Sequence, residues 1–206
     1  MRGALICDGV SDAGLSIVIE RSARALGVEL VVDVVNFDQL RPGLSLARRL
    51  AVLPTLVASL DVLFVHRDAE GGDTEHRHME IKRAIGGASL EYPHVPVVPV
   101  RMTEAWLLCD PAPIRRVVGN PNGRTPLSLP ADPERMIDPK AELRSLLAKA
   151  AEVQGRRLEQ LDRRFPQLRR QLLETLDVNG PISRLPSFVR FNENLAAWCL
   201  IAQERM

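Results

Sequence analysis

The chain has 206 residues, 46% of them hydrophobic, and a formal net charge of +1, which excludes wholesale disorder and suits one substantial core with a small appendage. Cys7, Cys109 and Cys199 are widely spaced without a C-x-x-C pair, which speaks against a zinc finger or a disulfide framework. No apolar stretch approaches a membrane span and no signal-peptide pattern precedes the first apolar run, so a cytoplasmic location is expected.

Residues 4–7 form a short apolar run ending in Asp8-Gly9. A helix is predicted over about 12–26, with Leu15, Val18, Ile19, Ala23 and Leu26 at helical spacing and Ser11 or Asp12 as its cap. Residues 29–35 are a β-branched run typical of a buried strand, and 45–59 read as a helix bent near Pro54. A third strand over 61–65 leads into His66-Arg67-Asp68-Ala69-Glu70-Gly71-Gly72-Asp73. Residues 60–80 hold six acids (Asp61, Asp68, Glu70, Asp73, Glu75 and Glu80) against Arg67 and Arg77, a net of −4. A helix is predicted over 74–85, then a fourth strand over 95–100, which Pro96 and Pro99 confine to an edge or an irregular position. Another helix is expected over 103–109, with Thr103 as its cap and Trp106 and Leu107 in the core; Asp110 caps the short helix that follows. Strands alternating with helices predict an α/β fold with right-handed crossovers and a mainly parallel sheet.

Residues 120–138 are rich in Pro, Asn and Gly and read as a long loop, and 139–151, 156–176 and 185–202 as helices, the second interrupted by Pro166. The expected organisation is an α/β core over 1–118, a loop over 119–138 and a helical extension over 139–206 packed on the core. Residues 144–170 hold eight Lys or Arg against Glu152, Glu159 and Asp162, a net of +5. The pairs Arg156-Arg157, Arg163-Arg164 and Arg169-Arg170 recur about every seven residues, opposite a stripe of Leu158, Leu161, Phe165, Leu168 and Leu172. They read either as a solvated helix face or, beside an acidic site, as a surface for a phosphate backbone formed by Arg156, Arg163, Arg170 and Lys140. Arg184 and Arg190 could also approach phosphate.

In a parallel sheet, the loops leaving the C-terminal strand ends form the functional edge. Asp8 leaves the first strand, Asp68 and Glu70 the third, and Glu104 follows the fourth. In an extended segment Asp68 and Glu70 would face one pocket. Oxygen ligands clustered without His or Cys suit Mg²⁺ or Mn²⁺, with Asp8, Asp68, Glu70 and Glu104 as ligands. The same residues also read as a solvated turn with capping acids at Asp73 and Glu75, and Glu104 as an acid in the first turn of its helix. His66 stands beside the acidic pair. His76 and His78 diverge on a helix, which argues against zinc.

The first strand ending Cys7-Asp8-Gly9-Val10-Ser11-Asp12 and the later strand ending Asp68-x-Glu70 resemble the Toprim domain of topoisomerases, primases and related nucleases. More closely, the chain resembles a little-characterised bacterial Toprim-like family. The motifs that carry this likeness are Glu104-Ala105-Trp106-Leu107-Leu108-Cys109-Asp110, Pro139-Lys140 and Ser187-Phe188-Val189-Arg190-Phe191. The usual Glu after the first strand is Asp8 here, and the usual Asp-x-Asp is Asp68-x-Glu70; both departures keep the charge. The resemblance implies a Rossmann-like Toprim fold and a metal-dependent, nuclease-like activity on DNA or RNA in which Asp8, Asp68 and Glu70 are catalytic and Asp8 moves a proton or holds metal. It also implies an ATPase partner in a phage-defence or mobile-element system; these 206 residues contain no Gly-x-x-x-x-Gly-Lys-Ser/Thr loop. The alternative is a non-catalytic interaction or regulatory module that keeps the fold.

Overall fold

Strands β1 (Arg2–Ile6), β2 (Val31–Val34), β3 (Val62–His66) and β4 (His94–Val97) form one parallel sheet in the order β2-β1-β3-β4. The computed structural model describes residues 1–37, 43–57 and 59–204. Register places Ala4 beside Asp33 on one side and Leu63 on the other, and Val65 beside Pro96. The central strands are covered on both faces, which explains the unbroken apolar run Leu63-Phe64-Val65, fully buried at all three positions. Edge strand β2 instead exposes Val31 and Val34.

Side-chain alternation divides the core in two. Ala4, Ile6, Leu63 and Val65 pack against Leu46, Leu50 and Leu53 of α2 (Leu46–Leu56) and Ile81 and Ile85 of α3 (Thr74–Gly87). Leu5, Cys7, Val62 and Phe64 pack on the other face with Leu15, Val18 and Ile19 of α1 (Leu15–Ala25). That second cluster continues into α4 (Pro111–Val117), α5 (Pro139–Ala151), α7 (Phe165–Thr175) and α8 (Pro186–Glu204). Helix α6 (Arg156–Arg163) buries no residue fully and touches the cluster through Leu161. Among the described residues, no helix is long and apolar enough to cross a membrane.

Several local expectations change in the fold. Asp12 caps no helix: α1 begins at Leu15 after Gly14, and Asp12 lies buried in a 3-10 turn, Val10–Gly14. The helix expected over 45–59 starts after its cap Ser45 and ends at Leu56, where Val57 is already extended; residue 58 lies outside the described residues. Strand β4 stops at Val97, short of Pro99, and holds Pro96 on the sheet's edge. Residues Thr103–Leu108 wind as a 3-10 helix with all six side chains buried, preceded by Met102 and without a side-chain cap. The long loop contains a 3-10 turn, Pro133–Arg135, whose buried Glu134 accepts the Ser187 N–H (3.1 Å) at the start of α8. The span expected as one helix over 156–176 divides into α6 and α7 at Arg164, where Pro166 fits the first turn of α7 because it needs no N–H donor there. Residues 205 and 206 of the expected extension lie outside the described residues.

Candidate functional site

The chain leaves β1 for β2 on one side of the sheet and leaves β3 for β4 on the other, so β1 and β3 are adjacent strands with diverging connections. The crevice beyond the C-terminal ends of such a pair is the natural ligand position in a parallel α/β sheet. Asp8 follows β1, and His66, Arg67 and Asp68 end or follow β3. The loop after β3 is tied to the segment after β4: the N–H groups of Arg67 (3.2 Å), Ala69 (3.0 Å), Gly71 (2.9 Å) and Glu70 (3.1 Å) donate to the carbonyls of Val97, Pro99, Val100 and Arg101. These bonds hold the acidic segment against the sheet.

On the α3 side, charges alternate in a chain. Arg67 lies 3.2 Å from Asp8 and 3.4 Å from Glu80; Arg77 lies 2.7 Å from Glu80 and 3.6 Å from Glu70. Arg77 also donates to the Asp68 carbonyl at 3.1 Å. The Asp8 side chain is 38% exposed. Partial burial pushes its carboxyl above the ordinary range, Arg67 and His66 oppose that rise, and Asp68 adds to it.

On the opposite face lies a buried polar network. His66 is fully buried, with Nε2 at 3.2 Å from both Asp68 Oδ1 and Thr103 Oγ1. The Thr103 hydroxyl donates to Asp12 Oδ1 at 3.2 Å, so it faces His66 as an acceptor and assigns the proton to Nε2. His66 Nδ1 is buried without a partner among the described residues. Burial opposes charging of His66, but the Asp68 hydrogen bond and the charges of Asp12, Asp68 and Asp8 outweigh it and raise its pKa. Arg169 from α7 closes the network: Nη2 donates to Asp12 Oδ1 (2.6 Å), Nε to Glu104 Oε1 (2.8 Å) and Nη1 to the Ser11 carbonyl. Asp12, Glu104 and Arg169 are all buried.

Asp8 and Asp68 therefore share the crevice, each partly open to solvent. Glu70 does not extend the strand: its φ of 54° puts it in the left-handed region, so the alternation that would aim it alongside Asp68 ends before it. Its exposed carboxylate turns to Arg77 instead. Glu104 turns inward to Arg169, away from the open edge. Among the described residues, no group of three or more His, Cys, Asp or Glu side chains is arranged to hold a metal ion. Arg156 and Arg163 are exposed on α6, Lys140 is exposed at the start of α5, and exposed Arg170 pairs with Glu174 at 2.8 Å. Arg169 and Asp12, both absent from the predicted site, carry the buried part of it. The pair Arg169-Arg170 does not stand opposite the apolar stripe as expected: Arg169, four residues after Phe165 and four before Leu173, lies on the buried stripe of α7, and Arg170 beside it is exposed.

The left-handed Glu70 yields a direct test. Replacing it with Gly is expected to stabilise the protein by about 0.5–1 kcal/mol, since Gly adopts this φ without the Cβ penalty and the exposed Arg77 pair contributes little. Glu70→Val should destabilise it, because a β-branched residue tolerates positive φ least. Thermal unfolding of both variants decides; a lower Tm for Glu70→Gly would give the Arg77 contact the larger role. In comparison with known proteins, no family model, no curated protein and no solved structure matches the chain.

Proposed function

We propose that the C-terminal edge of the sheet is a divalent-metal-dependent phosphoryl-transfer site acting on nucleic acid, of the Toprim nuclease type, working with an ATPase partner in a defence or mobile-element system. The supporting observation is the placement of Asp8 and Asp68 at the ends of adjacent strands, close enough that the charge of Asp68 helps raise the Asp8 pKa. Mg²⁺ is commonly held by only one or two carboxylates with water and substrate phosphates completing the shell. Asp8 and Asp68 fit that sparse requirement; Glu70 could join only by leaving Arg77, and Glu104 only by breaking a buried ion pair. A bound cation would stabilise charge on phosphate oxygens. His66 orients Asp68 through its 3.2 Å contact, and Asp8, with its raised pKa, is the group placed to hold or pass a proton. Exposed arginines of α6 and its C-terminal end supply phosphate contacts: Arg157 and Arg163, with Arg164 just after the helix, line an open groove of about 380 Å³ against Val118, Val153 and Leu161.

A second reading, a non-catalytic interaction module, is favoured by the internal pairing of the acids: Asp8 with Arg67, Asp68 with His66, Glu70 with Arg77 and Glu104 with Arg169. Mn²⁺ calorimetry and cleavage of single- and double-stranded substrates separate the two. Wild type is expected to bind Mn²⁺ and to cleave, while Asp8→Asn loses cleavage at an unchanged Tm and Asp8→Glu retains it. Asp68→Ala should abolish Mn²⁺ binding. An active Asp8→Asn variant, or wild type that neither binds metal nor cleaves with the ATPase partner present, would assign the chain to the non-catalytic class.

A further inference from the structure

Of the arginines around the crevice, most are already engaged. Arg49 donates to the Cys7 carbonyl, Arg67 is paired with Asp8 and Glu80, Arg77 with Glu80 and Glu70, and Arg169 with Asp12 and Glu104. Arg101 differs. It follows β4, and its backbone carbonyl is fixed by the Glu70 N–H at 3.1 Å, with Val100 fixed by the Gly71 N–H at 2.9 Å. Its guanidinium lies directly across Gly71, so closely that a Cβ at position 71 would collide with it. Gly71 also has a φ of 79°, the left-handed conformation that favours glycine. Arg101 is half-buried, and among the described residues no carboxylate lies within ion-pair distance of it. A guanidinium lying against the backbone of the acidic loop, with no counter-ion among the described residues, is arranged to receive an anion from outside the chain.

We propose that Arg101 is the phosphate-binding residue of this edge, taking the non-bridging oxygens of a nucleic-acid phosphodiester presented to Asp8 and Asp68. This rests on the phosphoryl-transfer reading above and extends it, because it names the group that orients the phosphate independently of metal. The planar fork of Arg suits two phosphate oxygens at once, which a lysine ammonium cannot reproduce. Gly71 then has a definite role: it opens the space in which that fork rests.

Anisotropy titrations of a fluorescein-labelled oligonucleotide, with and without Mn²⁺, test this on wild type, Arg101→Gln and Arg101→Lys. Arg101→Gln should weaken binding about tenfold in both conditions and lower the salt slope by about one, the loss of one phosphate contact. Arg101→Lys should recover part of the affinity. Both variants should match wild type in Tm and in Mn²⁺ calorimetry, since Arg101 makes no ion pair among the described residues. Wild-type oligonucleotide affinity in Arg101→Gln would overturn the assignment while leaving the metal site standing. Loss of Mn²⁺ binding in Arg101→Gln would also overturn it, by making Arg101 a support of the acidic loop. Wild type that binds neither oligonucleotide nor Mn²⁺ would remove both this assignment and the reading it rests on.

Discussion

Arg169→Met is expected to destabilise the protein by about 3–5 kcal/mol, the usual cost of removing one partner from a buried ion-pair set. The substitution keeps an apolar stem on the buried stripe of α7 but leaves Asp12 and Glu104 without their shared cation and the Ser11 carbonyl without its donor. Arg169→Lys should fall well below wild type too, because one ammonium cannot span acceptors on two separate segments. A triple variant that adds Asp12→Asn and Glu104→Gln should recover part of the loss, since neutral amides need no counter-charge. The pH dependence gives a second readout. Burial pushes the Asp12 carboxyl up, but His66, Arg169 and the Thr103 hydroxyl outweigh it and hold it below its ordinary 3.8. Because the folded value is depressed, this stabilisation is complete above the unfolded value and is lost as pH falls through the folded one. The gap between wild type and Arg169→Met should therefore narrow as acid protonates Asp12. Urea unfolding at neutral and acidic pH measures it, and equal stability at neutral pH would show that the triad contributes nothing.

Trp106→Ala should cost about 3–5 kcal/mol through the cavity left by a large core side chain. Trp106 is fully buried, packs edge-on against Phe188 at 5.1 Å between ring centroids and lies 6.1 Å from Phe191. Its indole N–H donates to Ser187 Oγ at 2.8 Å, and Ser187 is held in turn by Glu134. One side chain thus joins the segment after β4, the long loop and the start of α8. Trp106→Phe keeps most of the ring and leaves Ser187 bonded to Glu134, so about 1 kcal/mol is expected. The two variants separate packing from hydrogen bonding, and a Trp106→Ala cost near that of Trp106→Phe would place the aromatic cluster outside the energetic core. The site should respond as well, because Thr103 and Glu104 precede Trp106 on the same buried 3-10 helix.

The sequence alone was enough to determine the features written within a few residues. The order of strands and helices, the parallel sheet, the places of Asp8 and Asp68 after their strands and the burial of Trp106 all follow from apolar runs and spacing. So do caps such as Asp73 on the Glu75 N–H (2.8 Å) and Asp110 on the Ala112 N–H (2.9 Å). Glu70 was misread because a period-2 argument holds only while the chain stays extended, and hydrogen bonds to Val100 and Arg101 turn it left-handed. The buried half of the site was decided by tertiary structure: Arg169 meets Asp12 across 157 positions and Glu104 across 65, while Thr103 meets Asp12 across 91. Periodicity can put a charged residue on a buried face, but it cannot say which charge waits there. The partner depends on how α7 docks over the β1 turn and the segment after β4, and a buried charge persists only where that docking supplies its counter-ion.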